Sequence, residues 1–134
     1  MRARYLLDTN ICIYLLKGAP ESLLARFAKY GVGEVLMSAI TYAELAYGAA
    51  TSPTPAREKR AVDQLVNAVP VAPFGTEAAA AYAVIRKAAP ERRADALDKL
   101  IAAHAAALGV VVVTNNEGDF SRYPGIKVEN WARA

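Results

Sequence analysis

The sequence has one cysteine and one histidine among 134 residues. A single thiol forms no internal disulfide, and Cys12 has no activating His or Lys beside it, so it reads as a core residue and not a nucleophile. Acid–base hydrolysis without metal usually needs two groups titrating near neutrality, typically a histidine pair. Here His104 stands alone, on the apolar stripe Leu97, Leu100, Ile101 and Leu108, and reads as a hydrogen-bonded core side chain. Apolar runs of the roughly 18 to 20 residues that a membrane span needs are also missing. The start, Met1-Arg2-Ala3-Arg4 and then a strand containing Asp8, is too short and too acidic for a signal peptide, which predicts a cytoplasmic protein. Repeats, low-complexity linkers and a composition break are absent too, which leaves one domain over residues 1–134.

What is present is a chain of ordinary globular composition, 54% hydrophobic and 22% charged, with a net charge of +3 that is compatible with a polyanionic partner. Short apolar runs alternate with helical patterns. Strands are expected at Tyr5–Leu7, Val35–Met37, Val69–Ala72, Val110–Val113 and Ile126–Val128, with Pro70 placing the third at an edge. Helices are expected after Asp8 to near Gly18, from Pro20 to about Tyr30, from Ile40 to Ala50, and from Arg57 to Asn67. Two more follow, from Gly75 to near Ala89 and from Asp95 to Leu108, the last closed by Gly109. Pro90 and Glu91-Arg92-Arg93 read as a loop, and a polar loop carries Asn115, Asn116, Glu117 and Asp119. Strands that are continuous apolar runs, alternating with helices, predict a parallel sheet covered on both faces.

Open parallel sheets bind ligands at the carboxyl ends of their strands. Asp8 ends the first strand. It is either the cap of the next helix or a site carboxylate, and since Thr9 and Asn10 can cap equally well, Asp8 is not needed for that task. Asp98 lies on a stripe of small residues, Asp95, Asp98, Ala102, Ala105 and Gly109, in a largely apolar helix. A carboxylate in its first turn gains from the helix dipole but needs a partner when buried, and a cation is one candidate. For Asp95 the cap reading leads. Glu44 shares a helix face with Ile40, Tyr47 and Gly48, where a glutamate is either functional or at the edge of the buried face with its head in water.

Four segments, taken together and in order, resemble the VapC toxins of VapBC toxin–antitoxin systems. They are Leu6-Leu7-Asp8-Thr9-Asn10, Thr41-Tyr42-Ala43-Glu44-Leu45-Ala46-Tyr47-Gly48, Leu97-Asp98-Lys99-Leu100-Ile101-Ala102-Ala103-His104-Ala105, and Val113-Thr114-Asn115-Asn116 with Asp119-Phe120. The closing stretch, residues 120–131, is similar to the family's C-terminal end. The resemblance implies a PIN-like α/β/α sandwich with a five-stranded, mostly parallel sheet flanked by helices. It implies a metal-dependent ribonuclease in which Asp8, Glu44 and Asp98 are the core acids and Asp119 the more variable fourth. Together these would bind Mg²⁺ or Mn²⁺, with Thr9 and Thr114 or Asn115 orienting water or phosphate. Many relatives carry Ile-Gly shortly before the third acid, where this chain has Ala94 and Asp95. Oxygen donors suit both ions, and converging carboxylates would repel without one. In-line attack by water would leave a 5′-phosphate and a 3′-hydroxyl.

The resemblance also implies a homodimer, a VapB antitoxin that blocks the site, and contact with operator DNA only through that antitoxin. The apolar region of Leu15, Leu16, Leu23, Leu24 and Phe27 is a candidate for such contacts. The implied substrate is structured RNA such as transfer RNA. Thr114-Asn115-Asn116 and Glu129-Asn130-Trp131 resemble the corresponding segments of members that cut initiator tRNA. Arg86, Lys87, Arg92 and Arg93 are the candidates for phosphate contacts, each otherwise a solvated charge, and Arg57, Lys59 and Arg60 read as a solvated helix face. The alternatives are a PIN fold that binds RNA without cutting, a receiver-like acidic pocket, and a phosphatase with an aspartyl nucleophile. The last needs a second Asp where Asn10 stands.

Overall fold

Alternation along the short apolar strands sends successive side chains to opposite faces, and two separate cores result. The computed structural model describes residues 2–89 and 96–133. Pro90, Glu91, Arg92, Arg93, Ala94 and Asp95, with the loop and the phosphate contacts expected there, lie outside the described residues. The elements in chain order are β1 (Tyr5–Leu7), α1 (Thr9–Lys17), α2 (Glu21–Phe27), β2 (Val35–Ser38), α3 (Ala39–Ala50) and α4 (Pro55–Ala68). After them come β3 (Val71–Ala72), α5 (Thr76–Ala88), α6 (Ala96–Leu108), β4 (Val111–Val113), α7 (Glu117–Phe120) and β5 (Val128–Glu129).

The five strands form one sheet in the order β3-β2-β1-β4-β5, and every pairing is parallel. Tyr5, Leu7 and Val113 join Ile11, Cys12, Leu23, Leu45, Val62 and Leu65 of α1 to α4 on one face. Leu6 and Val112 join Ile85, Ile101, Ala102, Ala105 and Phe120 of α5, α6 and α7 on the other. Strands buried on both faces account for the continuous apolar runs. The order of the strands reverses direction between β1 and β4, so the crevice of this doubly wound sheet opens where Asp8 and Thr114 end those strands. None of the helices of the described residues is long and apolar enough to cross a membrane.

Several boundaries differ from the expected ones. Helix α4 begins at Pro55, two residues before the expected Arg57, since the amide that proline lacks has no partner in a first turn. Pro70 lies just outside β3, where its carbonyl still accepts from the Met37 amide at 3.0 Å. The final strand is Val128–Glu129 and not Ile126–Val128, and the polar loop after β4 contains the single turn α7. In α6, Ala102 and Ala105 of the small-residue stripe are fully enclosed, as are Lys99 and Ala103, with Ile101 and His104 1% exposed. Leu97 and Leu108, expected to be buried, are 42% and 41% exposed, and Lys99 is buried instead. Small side chains let the helix approach the sheet closely, which turns part of its larger apolar stripe outward. Gly109 closes α6 at φ 71°, a left-handed conformation that disfavours other residues, and lets the chain turn directly into β4.

Leu6 is fully buried in the central strand. Leu6→Ala is expected to lower unfolding free energy by about 3–5 kcal/mol, read from urea denaturation with an unchanged m-value.

Candidate active site

Asp8 leaves β1 in an extended conformation and starts α1. Its Oδ1 accepts the Ile11 amide at 2.9 Å and its Oδ2 accepts the Thr114 hydroxyl at 2.5 Å. Asp8 is therefore the cap of α1, contrary to the expectation that Thr9 or Asn10 makes it dispensable there. Because a carboxylate has two oxygens, it caps and also bridges to β4. It is 3% exposed. Burial pushes its pKa up, and the charge of Glu44 adds to the rise; the hydrogen bonds from Thr114 and Ile11 oppose it.

Thr114 is fully buried and links two groups, since its Oγ1 also accepts the Asn116 amide at 2.9 Å. Asn116 Nδ2 in turn donates to Asp119 Oδ2 at 2.7 Å, and Arg122 approaches Asp119 Oδ1 at 3.8 Å. Asn115 is exposed at the rim and donates to the Tyr14 hydroxyl at 2.9 Å.

Glu44 is half-buried, and Thr9 Oγ1 donates to its Oε1 at 2.6 Å. The same Thr9 oxygen is 3.1 Å from the hydroxyl of the fully buried Thr41. With its proton committed to Glu44, Thr9 accepts from Thr41, giving a relay from Thr41 through Thr9 to Glu44. Thr41 and Asn116 escaped the sequence analysis as site residues. The clue was Thr41 itself, one turn before Glu44 on the same face of α3.

A helix that leads into a parallel strand ends at the strand's start, so α6 begins at the carboxyl edge of the sheet. Asp98 continues the Ala102 and Ala105 stripe one turn further toward that edge. Its neighbour Leu97 lines one hollow with Glu44. The start of α5 lies beside the end of α6, where Thr76 and Ala78 share a hollow with Ala107 and Leu108. The two helices run antiparallel, which carries the exposed Arg86 and Lys87 toward the start of α6. Among the described residues, no three Asp, Glu, His or Cys side chains form a ready-made ligand group. Asp8 and Glu44 interact electrostatically, while Asp98 and Asp119 stand on neighbouring elements. Asp8, Glu44 and Asp119 each accept from hydrogen-bond donors of their own.

His104 is a core side chain, 1% exposed, with Nδ1 2.8 Å from Ser38 Oγ and the ring edge-on to Phe74. Burial lowers its pKa despite a hydrogen bond to the Pro73 carbonyl, so it is neutral at pH 7. Cys12 is fully buried, and burial with the nearby Asp8 charge pushes its thiol pKa far up. Neither supplies an acid, a base or a nucleophile. Arg57, Lys59 and Arg60 are exposed on α4, with Lys59 paired to Asp63 at 2.9 Å.

The side chains at this edge offer oxygen only, the donor set of a hard divalent cation, and a buried Asp8 beside Glu44 is a pair whose charge such a cation offsets. Carboxylates and threonines gathered at the switch point of a doubly wound parallel sheet define the class, a nuclease-type α/β protein of the PIN fold. The PIN domain family model matches residues 5–126. The tRNA(fMet)-specific endonuclease VapC of Salmonella typhimurium is 37% identical over 96% of this chain and 98% of its own. The ribonuclease VapC2 of Haemophilus influenzae is 35% identical with the same coverage. The DNA-bound VapBC complex of Salmonella typhimurium superposes with a TM-score of 0.86 at 37% identity, over 96% of this chain and 98% of that one. The chain belongs to the PIN-domain family and, within it, to the VapC ribonucleases.

Two outcomes follow for the site. Thr114→Val strands Asp8 Oδ2 and the Asn116 amide, and is expected to cost about 1–3 kcal/mol in denaturant unfolding. Asp8 has a folded-state pKa above its unfolded one, so in EDTA its contribution to stability is largest at low pH and is lost as pH rises through the folded value. Asp8→Asn should flatten that part of the curve and raise the melting temperature near pH 7, as thermal unfolding from pH 4 to 8 would reveal.

Proposed function

We propose that the protein is an endoribonuclease toxin that hydrolyses RNA phosphodiesters at the carboxyl edge of its sheet, with transfer RNA as substrate. The observation that carries the reading is the Asp8 carboxylate, buried at the switch point, bonded to Thr114 and electrostatically coupled to Glu44. Support for transfer RNA is the name of the 37%-identical Salmonella relative. Asp8, Glu44, Asp98 and Asp119 are the residues we assign to holding Mg²⁺ or Mn²⁺. Such an ion would supply activation of water and charge neutralisation at the phosphate.

The chain's own residues do the rest. Thr114 fixes the Asp8 carboxylate from the β4 side, and the relay through Thr9 fixes Glu44 from below. Asn115, held by Tyr14, stands at the rim within reach of a phosphate oxygen. Arg86 and Lys87 face the approaching backbone, with Arg92 and Arg93 assigned the same task. Water attacks phosphorus in line, the bond to O3′ breaks, and the products carry a 5′-phosphate and a 3′-hydroxyl.

We further read residues 1–134 as a single PIN domain of a cytoplasmic protein, supported by one sheet that takes in all five strands. Solved relatives are VapBC complexes, two of them with DNA, which supports a VapB-type antitoxin as partner and an association with operator DNA; we further assign the DNA contact to the antitoxin and a homodimer to the toxin. Of the apolar region considered for such contacts, Leu23 is fully buried, Leu15, Leu16 and Phe27 are half-buried, and Leu24 is exposed.

The test is cleavage of total tRNA by the purified protein with Mg²⁺, with Mn²⁺ and with EDTA, beside Asp8→Asn. Activity should require metal, fall by at least about 100-fold in the variant, and leave ends that a 5′-phosphate-dependent exonuclease can degrade. Ends carrying a 2′,3′-cyclic phosphate, or cleavage that persists in EDTA, would overturn the mechanism. RNA binding without cleavage would favour a non-cutting PIN module.

A further inference from the structure

Six large hydrophobic side chains are exposed among the described residues, and two of them, Tyr47 and Leu97, face the same hollow. Its lining is Ile40, Ala43, Glu44, Tyr47 and Leu97, and its volume is about 400 Å³. Ile40, Ala43, Glu44 and Tyr47 repeat at three and four residues, so they form one face of α3. Leu97 closes the hollow from the first turn of α6, next to Asp98. Tyr47 is 72% exposed, so its ring is offered to solvent and not used in the core.

We propose that this hollow is a nucleobase subsite, in which Tyr47 stacks on a base next to the scissile phosphate and Leu97 and Ile40 form its apolar walls. The proposal rests on Glu44 belonging to the catalytic edge. A phosphodiester held there must place a neighbouring sugar and base within a few ångströms of Glu44, and this hollow has Glu44 in its wall. Among the described residues the lining has no Lys or Arg, which suits an uncharged base. Aromatic stacking tolerates any base, so the subsite contributes affinity and placement more than sequence choice.

The experiment measures cleavage kinetics on total tRNA for Tyr47→Ala, Tyr47→Phe and Tyr47→Trp, with Val84→Ala as an exposed apolar control on α5 and Asp8→Asn as the site control. Tyr47→Ala should raise KM by about 5- to 150-fold, the equivalent of about 1–3 kcal/mol for one stacked base, with the loss falling chiefly on KM. Tyr47→Phe and Tyr47→Trp should stay within about twofold of the parent, as stacking needs the ring and not the hydroxyl. In an Asp8→Asn background, Tyr47→Trp should show indole fluorescence quenching on adding tRNA. An unchanged KM in Tyr47→Ala would overturn the subsite. So would a change of oligomeric state in sedimentation without a change in KM, which would make this face an interface between copies. Cleavage that survives Asp8→Asn would instead overturn the underlying assignment of the catalytic edge, whatever the Tyr47 series shows.

Discussion

The carboxylate of Asp8 is the joint on which this structure turns. One oxygen terminates a helix and the other ties the ends of the two central strands together. Those strands are where the winding of the sheet reverses, so the joint lies at the floor of the crevice. A neutral cap such as Ser or Asn would satisfy the helix at less cost in burial. An aspartate beside Glu44 instead carries a desolvation cost, the kind of environment in which functional carboxylates cluster.

Around that joint the polar side chains are arranged in two chains of hydrogen bonds. On one side Thr41 passes through Thr9 to Glu44; on the other, Thr114 connects Asp8 to the Asn116 backbone, and Asn116 reaches Asp119. Each acid is held by donors from a different element, so the edge is set by the packing of β1, β4, α1, α3 and α7 together. The rigid part is the deeply buried half. Asn115, Arg86 and Lys87, which would meet a substrate, are exposed and can adjust. Burial of the sole histidine and the sole cysteine leaves the oxygen ligands as the chemistry-bearing groups at this edge.

Much of the fold was legible in the chain because its signals are local. Continuous runs such as Tyr5–Leu7 and Val111–Val113 are the pattern of strands covered on both faces, and Gly109 marks a helix end by a conformation few other residues adopt. The start of α4 was expected at Arg57 and not at Pro55 because a proline that interrupts one segment is indistinguishable, in sequence, from one that opens a helix. Leu97 and Leu108 were misplaced because helical periodicity shows that two faces are apolar but not which packs closer. The small-residue face won, as Ala102 and Ala105 let α6 approach the sheet more nearly than leucines would.

The site divides in the same way. The sequence by itself determined the layered parallel fold, the position of Asp8 at a strand end, the inert character of Cys12 and His104, and the family, since each follows from residue type, periodicity or ordered motifs. Tertiary structure alone decided that Asp8 is at once cap and bridge, that Thr41 supports Glu44 through Thr9, and that Tyr47 and Leu97 share one hollow. These are contacts across 32 to 106 residues of chain or between separate helices. They depend on how α3 and α6 lean against the sheet, an angle fixed by side-chain volume in the core and carried by no local pattern of residues.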